Sequence, residues 1–106
     1  VHLYTMDRVR KLGAKRAITE VAEKLMQSCT RIYIHMDIDV LDPHEMKAAH
    51  LPVPDGLGLS DCAGALRAVH ETGRLCSLAV MVFNAHKDPS GTEAKKLNKL
   101  IVDSLR

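Results

Sequence analysis

Residues 32–43, Ile-Tyr-Ile-His-Met-Asp-Ile-Asp-Val-Leu-Asp-Pro, pass from apolar chain into acid without a break. Ile32 to Met36 predict a strand, because β-branched and aromatic runs fill a pleated surface. Asp37 and Asp39 are two residues apart, so on an extended chain they project to the same side. Carboxylates that close repel unless one takes a proton or a cation sits between them. At the carboxyl end of a parallel strand, where α/β proteins place ligands, a hard divalent cation resolves the conflict, and all-oxygen ligation favours Mn²⁺ or Mg²⁺ over zinc. A plain turn is the competing reading, with Asp42-Pro43 ending the strand because the residue before proline is held extended. An EF-hand is excluded: with Asp37 first, Asp42 falls where glycine is required and Ala48 where a bidentate Glu belongs.

Around this run the chain alternates strand and helix patterns. Val1 to Tyr4 are expected to end a short strand, and Thr5 to cap a helix over Met6 to Leu12 closed by Gly13. Ala14 to Gln27 give the clearest helix, with Ile18, Val21, Ala22, Leu25 and Met26 at helical spacing and Lys15, Arg16, Glu20, Glu23 and Lys24 on the solvated face. Pro43 to Leu59, with its three prolines, reads as a surface loop. Its Gly56-Leu57-Gly58 lacks the third glycine and the preceding strand of a phosphate-binding turn. Ser60 is placed as the cap of a helix over Asp61 to Thr72, with Cys62, Ala65, Leu66 and Val69 inward and Gly73 as the stop. Leu75 to Phe83 read as a strand buried on both faces. Thr92 opens a last helix whose buried stripe is Leu97, Leu100, Ile101 and Leu105. This order predicts an α/β fold, a parallel sheet with flanking helices and right-handed crossovers. Asp37 to Asp42 and Asn84 to His86 then share one sheet edge, although a fold alone establishes no activity.

A chain of 106 residues is one small domain at most. With no Trp, one Phe and two Tyr, its core must be aliphatic and Met-filled. A net charge of +2 says little about partners, and with no basic patch interleaved with aromatics nucleic-acid binding has no support. Cys29, Cys62 and Cys76 are odd in number and lack C-x-x-C spacing, so they read as buried free thiols in a reducing compartment, cytoplasmic or mitochondrial. No stretch is long enough to span a membrane. The start, Val1-His2-Leu3-Tyr4, has neither the charged nor the apolar region of a signal peptide and no initiator Met, which predicts a fragment or a processed piece.

Asp37-Ile38-Asp39-Val40-Leu41-Asp42-Pro43 resembles the Asp-x-Asp-x-x-Asp-Pro signature of the ureohydrolases, the family of arginase, agmatinase and formimidoylglutamase. The resemblance is closest to arginase. Leu3 to Val9, Leu12-Gly13, Pro52-Val53-Pro54-Asp55-Gly56-Leu57, Thr72-Gly73-Arg74-Leu75 and Val80 to Asn84 extend it along the chain. It implies that residues 1–106 are the C-terminal portion of an arginase-like domain, the last third of a three-layer α/β/α fold in which other strands lie between and beside these. It also implies a two-Mn²⁺ site whose bridging hydroxide attacks a guanidinium or formimino carbon. Asp37 and Asp39 match two of its carboxylate ligands, and Asp42 with Pro43 matches a structural part of the signature. The family's earlier metal motifs have no counterpart here. Val82 stands where the family has a Glu that holds the substrate's guanidinium, and valine accepts no hydrogen bond. Asp55 and His50 replace loop glycines, and Ser60-Asp61 an Arg-Glu pair.

Two functions follow. In one, the chain is part of a Mn²⁺-dependent arginase-like hydrolase and supplies Asp37 and Asp39, with His35, His50 and His86 as supplementary candidates against ordinary loop or core histidines. In the other, it is an inactive remnant serving a larger assembly. Either way its expected partner is the remainder of the fold or a companion polypeptide, in an oligomer, and alone it should be inactive and aggregation-prone.

Overall fold

Gly13 makes the first corner of the chain. In this computed structural model, which describes all residues 1–106, its φ of 83° lets α1 (Met6–Leu12) end and α2 (Ala14–Met26) begin with one residue between them. That backbone region is cheap only for glycine. Thr5 caps α1 as expected, its hydroxyl accepting from Arg8 N–H at 3.4 Å. Val1 to Tyr4 form no strand, and Val1 and Leu3 are exposed. No neighbouring strand is present beside them for their backbone to pair with.

β1 (Ile32–Asp37) leads through α3 (Leu59–His70) to β2 (Leu75–Met81), and the chain closes with α4 (Thr92–Ser104). β1 and β2 pair in parallel, from Ile32 beside Leu75 to Asp37 beside Met81, with a bulge between Ile32 and Tyr33. This is the predicted α/β fold, a parallel sheet with flanking helices. The two strands are direct neighbours, however, rather than separated by others. β1 buries Ile32 and Met36 while Tyr33, His35 and Asp37 stay exposed. β2 ends two residues before Phe83 and leaves Cys76, Ser77 and Met81 exposed, so it is not covered on both faces.

The main core lies beneath the carboxyl end of β1. Met36, Ile38, Leu41, Met46, Ala48, Ala49, Cys62, Leu66, Leu97 and Leu100 are buried together. Met46, Ala48 and Ala49 belong to the segment expected as a surface loop. They are held inside because Leu41 bridges Leu57 and Ala49 bridges Phe83. Gly56 explains how closely the segment folds back: a Cβ there would meet Leu41 C at 2.6 Å and Asp42 N at 2.7 Å.

The helix caps differ in part from expectation. α3 starts at Leu59, whose N–H is taken by the Glu45 carboxylate at 2.5 Å, and Ser60 lies inside the helix. α2 buries Ala14, Ala17 and Ala22, leaves Ile18, Val21 and Met26 half-buried, and exposes Leu25. Ala22 packs against Val69 of α3 and Ile32 of β1. Cys62 is buried, its thiol pushed up to about 11 by that burial. Cys29, in the turn after α2, and Cys76, on an uncovered part of β2, are exposed, contrary to the expectation of buried thiols.

Candidate functional site

Asp37 is the last residue of β1 and half-exposed, with Oδ1 3.0 Å from His35 Nε2. His35 Nδ1 in turn lies 3.5 Å from the Tyr33 hydroxyl, and the two rings meet edge to face. Strand alternation puts these three side chains on one face. With Asp37 ionised, Nε2–H donates to the carboxylate and Nδ1 accepts from the phenol.

Asp39 does not share that face. The chain turns into one 3₁₀ turn over Ile38–Val40, so the extended geometry that would align the two carboxylates stops at Asp37. Ile38, fully buried, drives the turn by going into the core. Asp37 borders an apolar cavity of about 380 Å³ between β1, α2 and α3. Asp39 borders another of about 470 Å³, with Arg10, Val53 and Asp55. Arg10 reaches it by donating to the Asp55 carbonyl at 2.6 Å, a contact between distant residues that no local pattern announces.

Asp42 takes the backbone N–H of His44 at 2.8 Å, and His44 Nδ1 lies equally near. These two bonds hold its carboxyl below the usual range, the backbone one first. The geometry is an Asx turn around Pro43.

Beyond β2, Val82 takes a φ of 59°. Its carbonyl accepts from His50 N–H at 2.9 Å, and Asn84 N–H donates to Ala48 O at 2.8 Å. Asn84 Nδ2 is 3.3 Å from His50 Nδ1, while its Oδ1 accepts from His86 N–H at 3.0 Å. Lys87 Nζ donates to the carbonyls of Ala49 and His50, each at 2.9 Å. His50 is thus fixed at the carboxyl end of β2, beside the residue that follows Asp37's partner. His86 is exposed on a 3₁₀ turn, and its ring has no hydrogen-bond partner. Of the sequence candidates, the structure joins His35 to Asp37 and leaves Asp39, Asp42 and His86 in separate surroundings.

No three His, Cys, Asp or Glu side chains converge as a metal site. The donor type of Asp37 and Asp39 suits a hard cation. Their number and placement do not, because one carboxylate is tied to His35 and the two face different cavities. A dinuclear site fits this chain only if further ligands come from outside it.

A sequence model for the Arginase family matches residues 1–105. The chain belongs to the arginase family. Mitochondrial arginase-2 of Mus musculus is 29% identical over 104 residues, covering 97% of this chain and 29% of the relative. Hepatic arginase of Aquarana catesbeiana is 31% identical over 102 residues, covering 95% and 30%. The arginase structure from Bacillus caldovelox superposes with a TM-score of 0.88 at 25% identity, covering 99% of this chain and 35% of that one. Formimidoylglutamase from Bacillus subtilis superposes at 0.89 and 20% identity, a likeness of fold, over 99% and 33%. This arginase-family chain therefore spans about a third of the length of the curated relatives it matches. None of its helices is long and apolar enough to cross a membrane.

Proposed function

We propose that this chain is the C-terminal portion of a Mn²⁺-dependent arginase-like hydrolase that cleaves a guanidino or formimino C–N bond. The observation that carries the reading is Asp37-Ile38-Asp39-Val40-Leu41-Asp42-Pro43 at the carboxyl edge of the sheet, in a chain matched by the Arginase family over residues 1–105. In this reading Asp37 and Asp39 ligate metal, and the remaining ligands come from polypeptide outside these residues. Bound manganese would supply a water of lowered pKa and a polarised substrate. The chain's own part is to place the carboxylates: Ile38 anchors the turn between them, and the Asx turn of Asp42 with Gly56 packed beneath sets the loop behind it. His35 orients Asp37 through the 3.0 Å contact.

A second reading is supported by Val82 and by that same His35 contact, which occupies one oxygen of Asp37. The chain would then be an inactive arginase-like scaffold in a larger assembly. One experiment separates them: Asp37→Ala in the full polypeptide or assembly that carries this chain, with bound Mn²⁺ and urea release both measured. The hydrolase reading expects loss of metal and of turnover. Unchanged metal and unchanged turnover would end it, and metal-free parent material without turnover would leave the scaffold.

A further inference from the structure

Asp55 is the only aspartate of the chain that precedes a glycine, and no side chain on Gly56 shields the nitrogen between them. Asp55 is exposed, and its carboxylate enters none of the chain's hydrogen bonds or ion pairs. Its φ of 61° follows Pro54 in a tight turn, the place where such turns want glycine. That turn aligns no hydrogen bond from Gly56 N–H. A free carboxyl thus stands beside an unengaged peptide nitrogen, on a residue that bears backbone strain. One outside group fixes the pair: Arg10 Nη2 donates to the Asp55 carbonyl at 2.6 Å.

We propose that Asp55-Gly56 is a self-modification site, which rearranges to an isoaspartyl linkage under the direction of Arg10. In the first step Gly56 N attacks Asp55 Cγ. The N–Cγ bond forms, the Cγ–OH bond breaks, and the hydroxyl leaves as water with the amide hydrogen. Water then opens the succinimide at one of two carbons. Addition at Cγ breaks the new bond and restores aspartate. Addition at the α-carbonyl carbon breaks its bond to Gly56 N, routes the main chain through Cβ and Cγ, and frees the α-carboxylate. Arg10 favours the second course. Its Nη2 lies on the oxygen that gains negative charge as water adds at the α-carbonyl, and a donor set there stabilises that addition. In the product the same oxygen belongs to a carboxylate, so a neutral contact becomes a charge-assisted pair. Asp7 engages the other terminal nitrogen, Nη1, at 3.6 Å and leaves Nη2 for this role. The rearranged chain is longer by one carbon. It cannot move inward, because Gly56 already packs against Leu41 and Asp42. The added length is taken up on the side of the cavity that Asp55 shares with Asp39 and Arg10.

The test ages the full polypeptide or assembly that carries this chain in H₂¹⁸O, with and without urea. Each opening of the succinimide leaves one heavy oxygen at residue 55, and fragment mass spectrometry separates the isoaspartyl from the aspartyl peptide. The expected result is heavy oxygen at Asp55 in the folded protein, with the isoaspartyl form in excess and open to methylation by an isoaspartyl methyltransferase. Asp55→Gly, which suits the left-handed φ, should abolish methylation of that peptide. Arg10→Ala should lower the isoaspartyl-to-aspartyl ratio among labelled peptides about threefold, the loss of one hydrogen bond to the reacting oxygen. Arg10→Lys, which keeps a cation there, should recover part of it. Heavy oxygen at Asp55 only in urea, none at all, or an unchanged ratio in Arg10→Ala would each overturn the proposal.

Discussion

Val82 carries a left-handed φ of 59°, in which a β-branched side chain crowds its own backbone. Such strain costs about 1–3 kcal/mol, and here the bond from His50 N–H to the Val82 carbonyl and the next one along, from Asn84 N–H to the Ala48 carbonyl, hold it. Glycine would remove the strain and add unfolded-state entropy worth about 0.5–1 kcal/mol. Val82→Gly is therefore expected to stabilise the protein by about 1 kcal/mol, read as a higher urea midpoint at constant slope. A lower midpoint would show that the valine is at ease. Val82→Glu tests chemistry at the same position: a carboxylate there should raise affinity for agmatine, measured by calorimetry, and no gain would disconnect this residue from ligand selection. Asp55, at φ 61°, is the milder case, since Asp enters the left-handed region more readily than valine. That both positions carry non-glycine residues was legible in the sequence. That Val82 is strained was not, because the bend after β2 is imposed by the distant 48–50 segment.

At the scale of elements, the loop before α4 and the start of that helix hold two of the depressed carboxyls and so a share of the acid sensitivity, beside Asp42 and Asp103. Asp88 is buried, which pushes its carboxyl up, but the N–H groups of Glu93, Ala94 and Thr92 and the charge of Lys95 outweigh this and hold it low. Burial likewise raises Glu93, which the ammonium of Lys96 and the N–H of Lys47 more than offset. Both groups are depressed on folding, so their contribution is complete above the unfolded carboxyl range and is lost as pH falls through about 4 and below. The expected outcome is a urea midpoint that falls between pH 7 and pH 3. The fall should be smaller in the Asp88→Asn, Glu93→Gln double variant, whose amides do not titrate. An equal fall would place the acid sensitivity elsewhere. The helices and both strands could be read from periodicity, because each makes its own pattern. The core role of Met46, Ala48 and Ala49 could not, since it depends on bridges to Leu57 and Phe83 rather than on spacing. The Asp37–Asp39 geometry failed for a related reason: Ile38 is drawn into the core, and the chain leaves the extended form one residue before the second carboxylate.

For the whole molecule, the deciding feature is apolar surface with nothing over it. Leu3, Tyr33, Leu51, Val53 and Met81 are exposed around a sheet of only two strands, and Leu25 stands out from α2. Parallel strands are stable when both faces and both edges are covered, and an open edge recruits other chains. Ten buried residues form the main core, a small store of burial against the ordering of 106 residues. The 106-residue chain on its own is therefore expected to associate as concentration rises, shown by a weight-average mass in sedimentation equilibrium that climbs over the micromolar range. Tyr33→Lys on the uncovered face and Met81→Lys at the sheet end should reduce that climb, because charge on open strands opposes pairing. A parent chain that stays monomeric and unfolds cooperatively would mean that two strands and four helices suffice, and that the exposed face is needed for something other than completing the fold.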